Sequence, residues 1–189
     1  HQNIGFLWPI GPFFAVGDLL ALPDWFVQRL WLGSILFAAG LGLRWFLRTL
    51  GWRGASVLVA SLAYMLSPYL LDYVARISVI LLPWAGLPWM LGLTVRSLRT
   101  GGWRHPALFA LTTLTIGGVN ATSLLLVGLG PVLWIAWSVL EGSVPWRRAL
   151  AVATRIGLLV AGTSLWWIAG LRTQAAHGLP TLRLTETYE

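Results

Sequence analysis

Long apolar runs, each close to the length of one membrane crossing, constrain the fold of this chain more than any other feature of its sequence. A bilayer core about 30 Å thick is spanned by a helix of about 20 apolar residues. Hydrophobic residues make up 57% of the chain and charged residues only 10%, which excludes an ordinary soluble domain. The sequence therefore predicts an all-α membrane protein. Six transmembrane helices are expected, at about 25–44, 54–71, 78–96, 104–119, 122–140 and 149–170.

Shorter segments precede and follow these runs. Residues 12–22 are apolar but too short to cross a bilayer, so we expect a short interfacial helix beside the membrane. Beyond the sixth run, Gly178 and Pro180 interrupt the helical pattern, and residues 171–189 are expected to begin an external loop. We expect residues 1–189 to form a single transmembrane domain that is a piece of a longer protein.

The positions of the arginines predict the orientation in the membrane. All thirteen basic residues are Arg, and they are dispersed among loops rather than gathered on one patch, which argues against nucleic acid as a partner. Short cytoplasmic loops of membrane proteins carry an excess of Arg and Lys. Both chain ends are therefore expected outside a plasma membrane that the chain crosses several times. The arginines expected inside, in three alternate loops, are Arg44, Arg48, Arg53, Arg96, Arg99, Arg104, Arg147 and Arg148.

Several kinds of chemistry are excluded or left without support. The chain has no Cys, which excludes disulfides, thiolate nucleophiles and sulfur-ligated metals. His1, His105 and His177 lack the spacing of a metal site, and no metal ligands are predicted. No Walker loop, dinucleotide fingerprint or nucleophile elbow occurs, so no nucleotide cofactor is expected. Whether a divalent metal takes part stays open.

Arg29 is the least expected charge, because it lies inside the first apolar run near its predicted outer end. One interpretation is a guanidinium aimed into an external cavity, where its fork of donors would hold a phosphate or carboxylate. The adjacent Gln28 favours such a polar lining. The other interpretation is an arginine that reaches the interface and stacks beside Trp25 or Trp31.

Three further polar residues lie in segments expected outside. Asp72 and Arg76 stand four residues apart, the spacing of a local ion pair on one helical face. The alternative is that Asp72 acts as a general base, for which the other candidates are the acids near the chain ends, Asp18, Asp24, Glu186 and Glu189. Asn120 lies in a tight loop with Gly117 and Gly118, where it either satisfies the backbone of a turn or forms part of a polar cavity wall. Its match to a glycosylation acceptor pattern is weak.

An ordered set of short motifs is similar to those of a known family. Together they resemble the N-terminal membrane part of the actinobacterial α-(1→3)-arabinofuranosyltransferase family of the AftD type. The resemblance covers nearly the whole chain, and its specificity lies in the order of the motifs. They are QNIGFLWPIGPFF (2–14), VQRLW (27–31), LAYMLSP (62–68), GGVNA (117–121), TSLWW (163–167) and LRLTET (182–187).

The resemblance implies a membrane glycosyltransferase of the GT-C architecture. Such an enzyme takes arabinofuranose from decaprenyl phosphate and adds it to cell-wall arabinan on the outer face of the membrane. The resemblance also implies a catalytic acid that precedes residue 1. A lipid-phosphate donor also needs a cation near the outer interface, where Arg29 and Arg76 are available with Gln28 as a neighbouring hydrogen-bond donor. Asp72 and Asn120 are the residues expected to line the cavity. The alternatives are a GT-C enzyme for another sugar, a lipid-linked-sugar transporter or flippase, and a non-catalytic membrane scaffold. A transporter is disfavoured because the apolar runs lack ionisable residues at mid-membrane.

Overall fold

The computed structural model describes residues 7–74, 80–117 and 121–177, and within these ranges its regular secondary structure is entirely α-helical. The predicted all-α class is thereby confirmed for this part of the chain. The helices are α1 (Ile10–Leu19), α2 (Asp24–Thr49), α3 (Ala55–Met65), α4 (Pro68–Val74), α5 (Leu81–Thr100), α6 (Arg104–Gly117), α7 (Ala121–Leu140) and α8 (Trp146–His177).

Three helices of the described part are long and apolar enough to cross a membrane. They are α2, most of α7 and most of α8, with candidate spans Asp24–Thr49, Thr122–Leu140 and Trp146–Thr173. Membrane-helix character is therefore supported, whereas the expected total of six crossings stays a prediction. A ten-residue helix, α1, covers most of the range 12–22, and its place at the membrane interface also stays a prediction.

The range 54–71, expected as one helix, is divided in two. Helix α3 ends at Met65, and α4 begins at Pro68. Proline has no backbone N–H, and its ring disfavours helical geometry in the residue before it. The Ser67 N–H accordingly donates to the carbonyl of Tyr64 in a tight turn at the junction. The chain can therefore change direction at Pro68.

Helices α2 and α5 interlock through two glycine–tryptophan contacts. The Trp89 indole lies against Gly42, where a Cβ atom would come within 2.5 Å of Nε1, and the Trp45 ring lies against Gly92 still more closely. The two indoles stack with centroids 5.4 Å apart. Trp89 Nε1 also donates a hydrogen bond of 2.9 Å to the carbonyl of Ala38. Each helix thus inserts a large ring where the other has no side chain.

Arginine side chains form hydrogen bonds between the helix ends that are expected on the cytoplasmic side. Arg99 donates to the carbonyl of Thr49 at the end of α2, and Arg148 of α8 donates to the carbonyl of Arg99. Carbonyls in the last turn of a helix lack intrahelical partners, so cations there satisfy them and offset the helix dipole. These contacts hold α2, α5 and α8 together at one end of the molecule.

Candidate functional site

A lateral groove of about 730 Å³ lies between α2, α5 and α6, and we call it the α2–α5–α6 groove. Its walls are almost wholly aliphatic and aromatic. The α2 side is formed by Trp31, Ser34, Ile35, Ala38 and Trp45, the α5 side by Leu82, Ala85, Gly86, Trp89, Leu93 and Arg96, and the α6 side by Leu108, Leu111, Thr112, Thr115 and Ile116, with Pro9 at one end.

The groove runs along the helices rather than across them. Its α2 wall extends from Trp31 to Trp45, which are fourteen residues apart and therefore separated by about 21 Å along the helix axis. A hydrocarbon core is about 30 Å thick, so the groove follows much of one crossing. Its length and apolar walls are suited to an extended hydrocarbon chain.

The hydroxyl groups of Ser34, Thr112 and Thr115 in the groove already donate hydrogen bonds to carbonyls of their own helices. Ser34 donates to the Trp31 carbonyl at 2.7 Å, Thr112 to Leu108 at 2.9 Å and Thr115 to Leu111 at 3.0 Å. A hydroxyl bonded to its own helix presents mainly carbon to an occupant. The groove therefore favours an apolar ligand over a sugar.

The end of the groove near the start of α2 is covered by α1. Phe13 packs edge-on against Trp31, with ring centroids 5.0 Å apart. Gly17 lies so close to Val27 that an added Cβ atom would stand 2.6 Å from a valine methyl group. Helix α1 is therefore held against α2, and Pro9 just before it lines the groove.

The opposite end of the groove carries its one charged lining residue within the described part of the chain. The Arg96 guanidinium lies 4.8 Å from the centroid of the Trp45 ring, and its Nε donates to Thr49 Oγ1 at 3.4 Å. No carboxylate lines the groove among the residues that the structure describes. These lining residues can hold an apolar ligand but supply no general base.

Neither Arg29 nor Gln28 lines the α2–α5–α6 groove. Arg29 is exposed and stacks on Trp25, with the guanidinium carbon 4.9 Å from the ring centroid. Because Arg29 precedes Trp31 by two residues, their side chains leave α2 about 160° apart. Gln28 is also exposed, and it precedes Ile35 by seven residues, so these two share a helix face.

The remaining predicted site residues lie elsewhere in the fold or outside its described part. Asp72 is exposed on α4 and does not line the α2–α5–α6 groove. Arg76 and Asn120 lie outside the described residues. Across residues 7–74, 80–117 and 121–177, no three His, Asp or Glu side chains are grouped as a metal site would require.

Sequence reasoning missed the groove residues Trp45, Trp89 and Arg96. A signal for two of them exists, because α2 carries Gly42-x-x-Trp45 and α5 carries Trp89-x-x-Gly92. Residues three apart lie on one helical face. Each helix therefore has one glycine and one tryptophan on the same face, with the glycine first in α2 and the tryptophan first in α5. That reciprocal pattern predicts a parallel pairing of α2 and α5, in which each ring faces the other helix's glycine, as the contacts of Gly42 with Trp89 and of Gly92 with Trp45 show.

Comparison with known proteins gives a consistent result over the whole chain. Residues 1–189 match the family described as "Alpha-(1->3)-arabinofuranosyltransferase, N-terminal GT-C domain". A protein named alpha-(1->3)-arabinofuranosyltransferase from Mycobacterium tuberculosis (strain ATCC 25618 / H37Rv) is 36% identical over 184 residues, 95% of this chain. One of the same name from Mycolicibacterium smegmatis (strain ATCC 700084 / mc(2)155) is 33% identical over 194 residues, 99% of this chain.

The match covers only a small part of these relatives. This chain spans 13% of the length of each of the two mycobacterial proteins. No solved structure matches the chain.

Proposed function

The chain belongs to the α-(1→3)-arabinofuranosyltransferase family, within its N-terminal GT-C domain, and on that premise we propose that it helps to bind the lipid-linked donor. The donor class is a polyprenyl phosphate carrying arabinofuranose, and the acceptor is cell-wall arabinan. The chain contributes membrane helices to this enzyme, with transfer on the outer face of the plasma membrane.

The observation that carries this proposal is the α2–α5–α6 groove. A polyprenyl chain is a long, branched hydrocarbon that needs an apolar channel open towards the bilayer. The groove is about 730 Å³ in volume, follows α2 for about four turns, and has its hydroxyls turned to their own helices. Those properties match the chemistry of the lipid rather than that of the sugar.

The phosphate end of the donor is proposed to lie near the start of α2. Gln28 shares the Ile35 face of α2. The phosphate is proposed to lie beside α2 outside the groove itself, where the exposed Arg29 side chain supplies a permanent positive charge. Stacking on Trp25 occupies one face of the guanidinium and leaves the in-plane N–H groups available for a phosphate. Arg76 is a second proposed cation, and Asp72 and Asn120 are proposed to line the cavity that admits the acceptor.

Substitution of Arg29 tests its proposed role. In the full-length enzyme we expect Arg29→Ala to lower turnover at least tenfold, because loss of a charge-assisted contact costs about 1.5–3 kcal/mol. Arg29→Lys is expected to restore only part of it, because an ammonium cannot reproduce the bidentate fork. The measurement is arabinosyl transfer per folded molecule, with donor affinity measured in parallel. Unchanged turnover and affinity in Arg29→Ala would identify the residue as an interfacial anchor.

Orientation is testable by labelling of introduced cysteines, since residues 1–189 contain none. In intact cells, Thr100→Cys and Ser143→Cys are expected to be protected from an impermeant thiol reagent, whereas Asn120→Cys reacts. The physical reason is the excess of arginine in the loops that contain Thr100 and Ser143. All three should react after permeabilisation, and labelling of Thr100→Cys in intact cells would reverse the proposed orientation.

A further inference from the structure

A second groove, of about 560 Å³, lies between α8 and the segment just before α6, and we call it the α8 groove. It is separate from the α2–α5–α6 groove and shares no lining residue with it. Tryptophan, arginine and leucine dominate its surface. The lining residues are Trp103, Trp146, Arg147, Leu150, Ala151, Thr154, Arg155 and Leu158.

One arginine of the α8 groove is held in place by the α5–α6 loop. Arg155 donates to the carbonyl of Gly102 at 3.2 Å, and its guanidinium lies 5.4 Å from the centroid of the Trp103 ring. The loop bends here through Gly101 and Gly102, whose φ angles of +71° and +74° suit glycine. The Arg155 charge is thus fixed at the groove rather than free to sweep through solvent.

A second arginine stands two turns earlier on the same helix. The guanidinium of Arg147 lies 5.6 Å from the centroid of the Trp146 ring. Arg147 and Arg155 are eight residues apart, so their backbone positions differ by about 12 Å along α8. Two arginine side chains that extend towards each other can both contact one group placed between them. Each guanidinium lies over a tryptophan ring, and within the described part of the chain neither pairs with a carboxylate.

The apolar part of the α8 groove is exposed. Leu150 and Leu158 retain 58% and 63% of their accessible surface, and Trp103 and Trp146 retain 55% and 60%. Exposed leucines beside arginines are costly in water but suited to the boundary between acyl chains and headgroups. Tryptophan is also enriched at that boundary, because its ring is apolar and its N–H is polar.

We propose that the α8 groove is a binding site for an anionic phospholipid in the leaflet that the arginine-rich loops face. The headgroup phosphate lies between Arg147 and Arg155, the indoles of Trp103 and Trp146 flank the glycerol region, and an acyl chain follows Leu150 and Leu158. Charge complementarity selects the occupant, because two cations bordering an apolar groove, one of them held by the Gly102 carbonyl, match one phosphodiester with its hydrocarbon tails. This site is independent of the proposed arabinosyl transfer.

Native mass spectrometry of the full-length protein tests the site, with phosphatidylglycerol and phosphatidylcholine of identical acyl chains as the probes. The natural protein is expected to retain phosphatidylglycerol in preference to phosphatidylcholine. Arg147→Gln and Arg155→Gln are each expected to weaken phosphatidylglycerol binding about fivefold, and to leave phosphatidylcholine binding unchanged. Arg53→Gln is the matched control, because Arg53 is an exposed arginine of the α2–α3 loop outside the groove, and it is expected to bind like the natural protein.

Arg147→Gln decides the outcome, because Arg147 is exposed and stacks on a ring that is itself exposed, so its loss leaves the fold intact. Equal retention of the two lipids, or an equal loss in Arg53→Gln, would overturn the proposal and show diffuse attraction by the whole basic surface. A dimer that dissociates in Arg147→Gln without any change in lipid count would assign the groove to a second copy of the chain and also overturn it.

Discussion

Gly92→Ala is expected to destabilise the packing of α2 against α5 by about 1–3 kcal/mol, the usual cost of adding atoms to a filled core. The new methyl group would overlap the ring of Trp45. The ring stacks on Trp89 on one side and carries the Arg96 guanidinium on another, so turning it into the groove would break both contacts. Either those contacts are lost or the two helices separate.

The measurement is the apparent melting temperature of the full-length protein in detergent. Gly33→Ala provides the matched control, since Gly33 is also in α2 and an added Cβ atom there has no neighbour within 4 Å. At Gly33, alanine is expected to leave the melting temperature unchanged or to raise it, because alanine has the higher helix propensity. If Gly92→Ala melts like the natural protein, the Trp45 ring is free to yield and the interlock does not stabilise the pair.

Thr112→Trp is expected to lower donor binding and arabinosyl transfer about tenfold or more in the full-length enzyme. Thr112 lies midway along the α6 wall of the groove, and its hydroxyl bonds only within its own helix, so its replacement removes no tertiary hydrogen bond. An indole at this position would occupy space proposed for the polyprenyl chain. A tenfold change corresponds to about 1.4 kcal/mol, which is modest for exclusion of a hydrocarbon chain from an apolar groove.

Transfer assays at several donor concentrations, with folded protein quantified in each sample, provide the measurement. Val132→Trp is the control, because Val132 is 61% exposed on α7 and lies outside the groove. The control is expected to retain activity. Thr112→Trp with unchanged donor affinity and turnover would place the polyprenyl chain elsewhere and contradict the role proposed for this groove.

The helical class followed from the sequence because a lipid environment permits few alternatives. Backbone N–H and C=O groups in a bilayer core must be satisfied within the protein, so long apolar runs form helices. The interruption at Pro68 has a signal in the sequence, since proline removes a backbone donor, although the length of the apolar run favoured one helix. The family followed from the order of short motifs, which no composition argument supplies, and the match over residues 1–189 confirms it.

The two grooves could not be predicted from the sequence, because they are formed by residues far apart in the chain. Trp89 meets Gly42 across 47 residues of sequence, and Arg155 meets Gly102 across 53. Hydropathy does not distinguish a helix face that contacts lipid from one that contacts another helix, because lipid tails are as apolar as leucine. Arg29 shows the same limit: helix spacing alone places it about 160° from Trp31, but only the packed helices show that the groove lies on the Trp31 side of α2. Which apolar face becomes a groove is decided by where small and large side chains meet when the helices pack.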